Sequence, residues 1–181
     1  MVVPRSWKDA DGVAAMRDFL SQPPPRKAAL RDLMTELLSP SPYARRCAAD
    51  LARRVSAREP GILGKYASVL IDLVAELPLE QWQARGYATL AAALNVTKHA
   101  ERMKLTILTR AMVEDERIAV RAMALEAFAI LAIAEPELRE EVMVLLEHAR
   151  REGTCAMRSR ARRMLPALLE AELKARPKTR R

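Results

Sequence analysis

Glycine and aromatic residues are both scarce. The chain has 181 residues, with 5 Gly, 2 Trp, 3 Tyr and 2 Phe. Sandwiches and barrels draw on β-branched and aromatic side chains and on glycine-rich turns, so this composition argues against an all-β architecture. Poverty in glycine also argues against a phosphate loop, and neither GxGxxG nor GxxxxGK occurs. No apolar run reaches the roughly 18 uncharged residues of a membrane span. Residues 1–9 carry Pro4, Trp7 and charges where a secretory leader would need an apolar stretch. A cytoplasmic location with no membrane partner is the expectation.

Cysteine and histidine are rarer still. Cys47 and Cys155 stand 108 residues apart, too few and too distant for a disulfide framework. Each sits among Ala and Met at helical spacing, which predicts buried free thiols. His99 and His148 have no Cys or His partner at ligand spacing. No metal and no cofactor is expected on these residues. A catalytic triad would have to recruit a histidine from the surface of a charged helix, so the expectation is a protein that is not an enzyme.

Alanine and leucine are abundant, with 32 Ala and 24 Leu. Net charge is +8, unevenly placed. Residues 1–66 hold 12 Lys/Arg against 7 Asp/Glu, residues 67–149 hold 8 against 13, and residues 150–181 hold 11 against 3. Two basic ends and an acidic middle do not make a uniform nucleic-acid-binding face.

Prolines and loop residues divide the chain into helical segments. A short helix over 11–21 precedes Pro23–Pro25. The run Leu30, Leu33, Leu37 ends at Ser39-Pro40. Ser41-Pro42 then supplies an N-cap followed by a first-turn proline. Further segments are predicted over 62–77, 80–95, 98–113, 116–134, 136–150 and 154–173. Pro166 should kink or restart the last. No segment alternates with period 2, so the reading is nine helices and no sheet.

Segments this long, with short joints, form helical hairpins, and the hairpins repeat. Arg45, Arg85, Arg121 and Arg158 fall in the second helix of successive pairs, at spacings of 40, 36 and 37. Three residues on, each is followed by alanine: Ala48, Ala88, Ala124 and Ala161. The preceding residue is apolar each time (Ala44, Ala84, Val120, Met157), and six residues on stand Leu51, Ala91, Ala127 and Met164. A helix pair cannot bury both of its apolar stripes alone, so such units stack.

The stretch VEDERIAVRAMALEAFAIL, 113–131, resembles a HEAT repeat, with an acidic residue six positions before an arginine that valine precedes. The resemblance implies an all-α, right-handed α-solenoid of the armadillo-like kind, with about four hairpins over 26–58, 60–95, 98–134 and 136–173. An N-terminal helix and Pro-rich linker (1–25) would precede it and a basic tail (174–181) follow. It further implies that Asp115 with Arg121, and Glu152 with Arg158, form a structural ladder between repeats. Ser39 and Leu79 occupy the acidic position of the first two repeats and depart from the pattern.

Two surfaces are candidate sites. From Ile118 to Ala134 the only charged residues are Arg121 and Glu126, so this helix is either buried all round or turned to a partner. Gly86, Thr89, Ala93, Ala122, Leu125 and Ala129 would line an apolar concave floor. At the ends, Arg46, Arg53, Arg54, Arg160, Arg162 and Arg163 could meet a polyanion. Tyr43, Tyr87, Trp82, Asp50 and Glu126 are the aromatic and acidic residues a base-handling groove would need. The acidic run Glu114-Asp115-Glu116 reads as helix capping. The expected function is a non-enzymatic scaffold for protein binding through the concave face, with another protein or a second copy of the chain as partner. The alternative is a nucleic-acid-binding protein working through its basic ends.

Overall fold

The computed structural model describes residues 27–175. The expected helix over 11–21 and the tail beyond residue 175 lie outside them. The described residues form eight α-helices and no strand: α1 (Lys27–Leu37), α2 (Pro42–Arg58), α3 (Ala67–Glu76), α4 (Trp82–Asn95), α5 (His99–Val113), α6 (Ile118–Ala134), α7 (Arg139–Glu152) and α8 (Cys155–Ala175). Single 3₁₀ turns over Gly64–Tyr66, Leu79–Gln81 and Pro136–Leu138 lead into α3, α4 and α7. The chain divides into two compact units between Thr97 and Lys98.

In the first unit, α1 packs on α2, α3 on α4, and α2 on α4. Leu30, Leu33, Met34 and Leu37 recur at i, i+3, i+4 and i+7, and all are buried. Ser41 caps α2 by accepting the Ala44 N–H, and Pro42 occupies the first turn. The α2–α4 seam is built of small residues, with Ala48, Ala52, Ala84, Ala88 and Ala91 at 1 % exposure or less. Removing side-chain bulk there lets two helices approach closely. A buried polar knot locks the next layer. Asn95 Nδ2 donates to Ser56 Oγ at 2.6 Å and to the Ala91 carbonyl at 2.7 Å, and its Oδ1 accepts the Leu63 N–H at 2.6 Å.

The second unit repeats the scheme: α5 packs on α6, α7 on α8, and α6 on both α7 and α8. Its centre is Phe128, fully buried, with Val120, Ala124 and Leu131 on α6, Leu105 and Met112 on α5, and Val142 and Leu146 on α7. The register read from the sequence coincides with this core. Ala48, Ala88, Ala124 and Ala161 are all at 0 % exposure. Leu51, Ala91, Ala127 and Met164 are buried as well.

Three expectations are corrected. The segment 62–77 is not one helix: its first turn is 3₁₀, and the α-helix begins at Ala67. The α8 helix continues through Pro166 and on to Ala175, so Lys174 belongs to the helix and pairs with Glu170 at 2.7 Å. Pro166 is exposed, where water can take up the carbonyl the ring leaves unbonded. Both cysteines are free, but only Cys47 is buried; Cys155 is exposed in the first turn of α8.

Candidate partner-binding face

Two of the four anchor arginines, Arg45 and Arg85, donate to backbone carbonyls. Arg45 donates from Nη2 and Nε to the Ser39 carbonyl (2.7 and 3.2 Å) and from Nη1 to Gln81 Oε1 (2.6 Å). Arg85 Nε donates to the Val74 carbonyl at 3.1 Å. Each satisfies a carbonyl at the end of the preceding helix or its exit. The expected Asp115–Arg121 pair is not made. Asp115 Oδ1 accepts the Arg117 N–H at 2.8 Å, and the Arg117 guanidinium lies 3.6 Å away. Arg121 Nε is buried with no hydrogen-bond partner. Glu152 faces His148 at 3.8 Å instead of Arg158. An acidic side chain beside a turn finds the N–H two residues on before it reaches a neighbouring element.

The expected concave floor is also corrected. Thr89, Ala122 and Ala129 are at 0 % exposure, Leu125 at 2 % and Ala93 at 6 %, and Gly86 is buried too. All six are core. Of the two readings open to an all-apolar α6, burial describes its middle; Ile118, Ala119 and Ala134 at its ends are exposed, and Ile130 and Ile133 are half-buried.

The basic residues fall into two sets. In the second unit, Glu126 on α6 holds Arg160 at 3.0 Å and also Arg163, while Arg162 is exposed. In the first unit, Asp50 holds Arg53 at 2.7 Å and Arg54 at 2.8 Å. Arg46 differs: its Nη1 donates to the neutral Gln83 Oε1 at 3.0 Å, and its guanidinium lies 5.2 Å from the Tyr43 ring centroid.

These first-unit residues make a furrow. Tyr43, Arg46, Cys47, Asp50, Arg53 and Arg54 fall at i, i+3, i+4, i+7, i+10 and i+11, one face of α2. On α4, Gln83 and Tyr87 stand four residues apart on the facing side. Between them lies a cavity of about 250 Å³ lined by Tyr43, Arg46, Cys47, Asp50, Arg54, Gln83 and Tyr87. A second cavity of about 270 Å³ adjoins it, sharing Tyr43, Arg46 and Gln83 and adding Pro42, Glu80, Gln81 and Ala84. Arg53 lies 5.4 Å from the Tyr87 ring centroid. Stacking on an aromatic face fixes a guanidinium plane at low entropic cost. Trp82 is half-buried and lines neither cavity. Gln83, which centres the furrow by holding Arg46, is the residue that sequence reasoning missed.

One cluster has metal-ligand chemistry. Ligand atoms of His99, Glu135 and Glu137 lie within 4.8 Å of one another. Glu135, however, is 4 % exposed, accepts from Arg102 on Oε1, and lies 2.9 Å from His99 Nδ1 on Oε2. Burial pushes its carboxyl up, but hydrogen bonds from Arg102 and His99, reinforced by charge, outweigh that and hold it below the ordinary glutamate value. A cation would have to displace a guanidinium from a buried carboxylate, so the cluster is an ion-pair knot joining α5 to the end of α6.

Comparison of the chain with protein-family models, curated proteins and solved structures gives no match. No helix among the described residues is long and apolar enough to cross a membrane.

Proposed function

We propose that this chain is a non-enzymatic interaction module whose four hairpins are HEAT-like repeats of an α-solenoid, and that it binds another protein through the α2–α4 furrow. The observation that carries the reading is the furrow itself, where two tyrosines and an arginine held only by a neutral amide share one accessible face. Tyrosine and arginine supply large, rigid contact area and are the residues that most often dominate protein–protein binding energy. The four-fold register of buried alanines supports the repeat reading. The buried floor residues move the docking site from the middle of the repeats to the first two.

The nucleic-acid reading draws less support. Phosphate binding needs several uncompensated cations, whereas Arg53 and Arg54 share the carboxylate of Asp50 and Arg160 and Arg163 share that of Glu126, so each trio keeps a single net positive charge. Proximity labelling in the native cell, run in parallel with the Tyr43→Ala/Arg46→Gln variant, tests the proposal. The reading expects a set of proteins labelled by the wild type and lost with the variant. An unchanged set would overturn it, as would a set that disappears on nuclease treatment.

A further inference from the structure

Within the interaction-module reading, on which this inference rests, we propose that the furrow takes a peptide segment carrying a carboxylate side chain next to an apolar one. The carboxylate docks on Arg46 and the apolar side chain lies against Tyr43 and Tyr87.

The charge arrangement selects the ligand. Arg46 lines both cavities, and its hydrogen-bond partner is neutral, the Gln83 side-chain amide. An amide does not remove the positive charge. The guanidinium of Arg46 is half-buried, restrained by Gln83 and the Tyr43 ring, and lines both cavities. It is therefore preorganised to accept an anion with little further loss of freedom. A carboxylate matches the planar fork of a guanidinium with two parallel hydrogen bonds.

The same surroundings disfavour a phosphate chain. Asp50 is part of the lining beside Arg46, and Glu80 lines the adjoining cavity. A doubly charged phosphate, or a row of phosphates, would meet these carboxylates within a few ångströms. A single carboxylate placed on Arg46 balances one charge and leaves Asp50 committed to Arg53 and Arg54. The furrow also offers aromatic surface: Tyr43 is 44 % exposed and Tyr87 half-buried, with Arg46 over the first ring and Arg53 over the second. Two tyrosines lining one cavity with Arg46 favour an apolar residue adjacent to the acidic one over a polyglutamate run, whose neighbouring charges would face Asp50 and Glu80.

The test is selection of a phage-displayed random dodecapeptide library on the full chain, counter-selected on the Tyr43→Ala/Arg46→Gln variant. Fluorescence polarisation with one enriched peptide, its Asn/Gln analogue and a single-stranded dodecanucleotide follows. The expected result is enrichment of Asp or Glu beside Leu, Ile, Phe, Trp or Tyr. Arg46→Gln should weaken the acidic peptide by about tenfold or more, the scale of one charge-assisted hydrogen-bonded pair. The amide analogue should lose the same factor against the wild type and nothing further against Arg46→Gln, because the two changes remove one interaction. Gln83→Glu, which sets a competing carboxylate beside Arg46 without emptying the furrow, should weaken binding similarly if Arg46→Gln proves unstable. Enriched peptides that lack acidic residues yet lose binding on Tyr43→Ala would overturn the carboxylate and leave the interaction-module reading standing. If no peptide is enriched over the variant, both fall. A dodecanucleotide that binds more tightly than the best peptide would overturn both in favour of nucleic acid.

Discussion

Replacing Arg102 by alanine would leave the buried Glu135 carboxylate paired with the exposed His99. Glu135 is 4 % exposed, and the side chains of Arg102 and His99 are 18 % and 64 % exposed. Breaking one side of a buried pair costs about 3–5 kcal/mol, most of it the desolvation of the charge left behind. His99 keeps part of the compensation, so we expect about 3 kcal/mol. Arg102→Met leaves the same charge uncompensated, and adding Glu135→Leu removes it. The double variant Arg102→Met/Glu135→Leu, the fourth corner of a cycle with Arg102→Met and Glu135→Leu, should therefore cost about 1 kcal/mol or less. The coupling between the two sites is then about 2 kcal/mol or more. A domain of ordinary stability has about 5–15 kcal/mol in all, so the single change is easily measured. Urea unfolding followed by far-UV circular dichroism at pH 7 gives all four corners of the cycle. If the two units unfold in separate transitions, only the one belonging to residues after Thr97 should move.

The same knot fixes a pH dependence. The folded Glu135 carboxyl titrates below its ordinary value of 4.5. A depressed carboxylate contributes stability that is complete above 4.5 and is lost as pH falls through the lower folded value. Glu135→Gln should therefore be less stable than the wild type at pH 7 and lose less stability on acidification from about pH 5 to pH 3. The reasoning is refuted if Arg102→Ala costs under about 1 kcal/mol, if the cycle is additive within about 0.5 kcal/mol, or if wild type and Glu135→Gln lose stability in parallel over that interval.

Asn95→Ala removes three hydrogen bonds at a site 1 % exposed and leaves the Leu63 N–H and Ser56 hydroxyl without that partner. A loss of about 2–4 kcal/mol in chemical denaturation is expected, against about 1 kcal/mol for Ser56→Ala. Leu125, 2 % exposed, is core: Leu125→Ala should cost about 2–5 kcal/mol and Leu125→Glu should abolish the cooperative melt of its unit. A Leu125→Glu variant that melts like the wild type would show that this position is a surface after all.

The helices were legible because their punctuation is local. Ser41-Pro42 and Pro136 act within one turn of chain, and the starts of α2 and α7 follow from them to within a few residues. The core was legible because the alanine register needs only a repeating period, and all four register alanines are fully buried. The apolar character of α6 was equally plain, but its meaning was not. A helix without a polar side satisfies two arrangements at the level of sequence, and only the packing of its neighbours separates them. Gly86, Thr89, Ala93, Ala122, Leu125 and Ala129 were read as a floor for a partner when the protein's own core covers them.

Side-chain pairing was the least legible layer, for a reason the furrow makes concrete. The resemblance to HEAT repeats implies a ladder pair between Asp115 and Arg121, six residues apart. In the folded chain Asp115 serves the adjacent turn, and the buried Nε of Arg121 gains nothing from it. Besides Asn95 to Ser56, the side-chain bonds that cross from one hairpin to the next in the first unit join arginine to glutamine, Arg45 to Gln81 and Arg46 to Gln83. Their separations are 36 and 37 residues, three to four short of the 40 that separate Arg45 from Arg85, so each glutamine precedes the register equivalent of its arginine by about one helical turn. A neutral amide attracts no notice in a charge count, yet residues one period apart in stacked hairpins occupy equivalent places on neighbouring second helices. The register of the alanines sets Gly86, not Gln83, at the place equivalent to Arg46, so the packing of α2 on α4 and not the period brings Gln83 to that arginine. Arg46 is held there by a neutral amide and the Tyr43 ring, whereas Arg53 and Arg54 share the single carboxylate of Asp50.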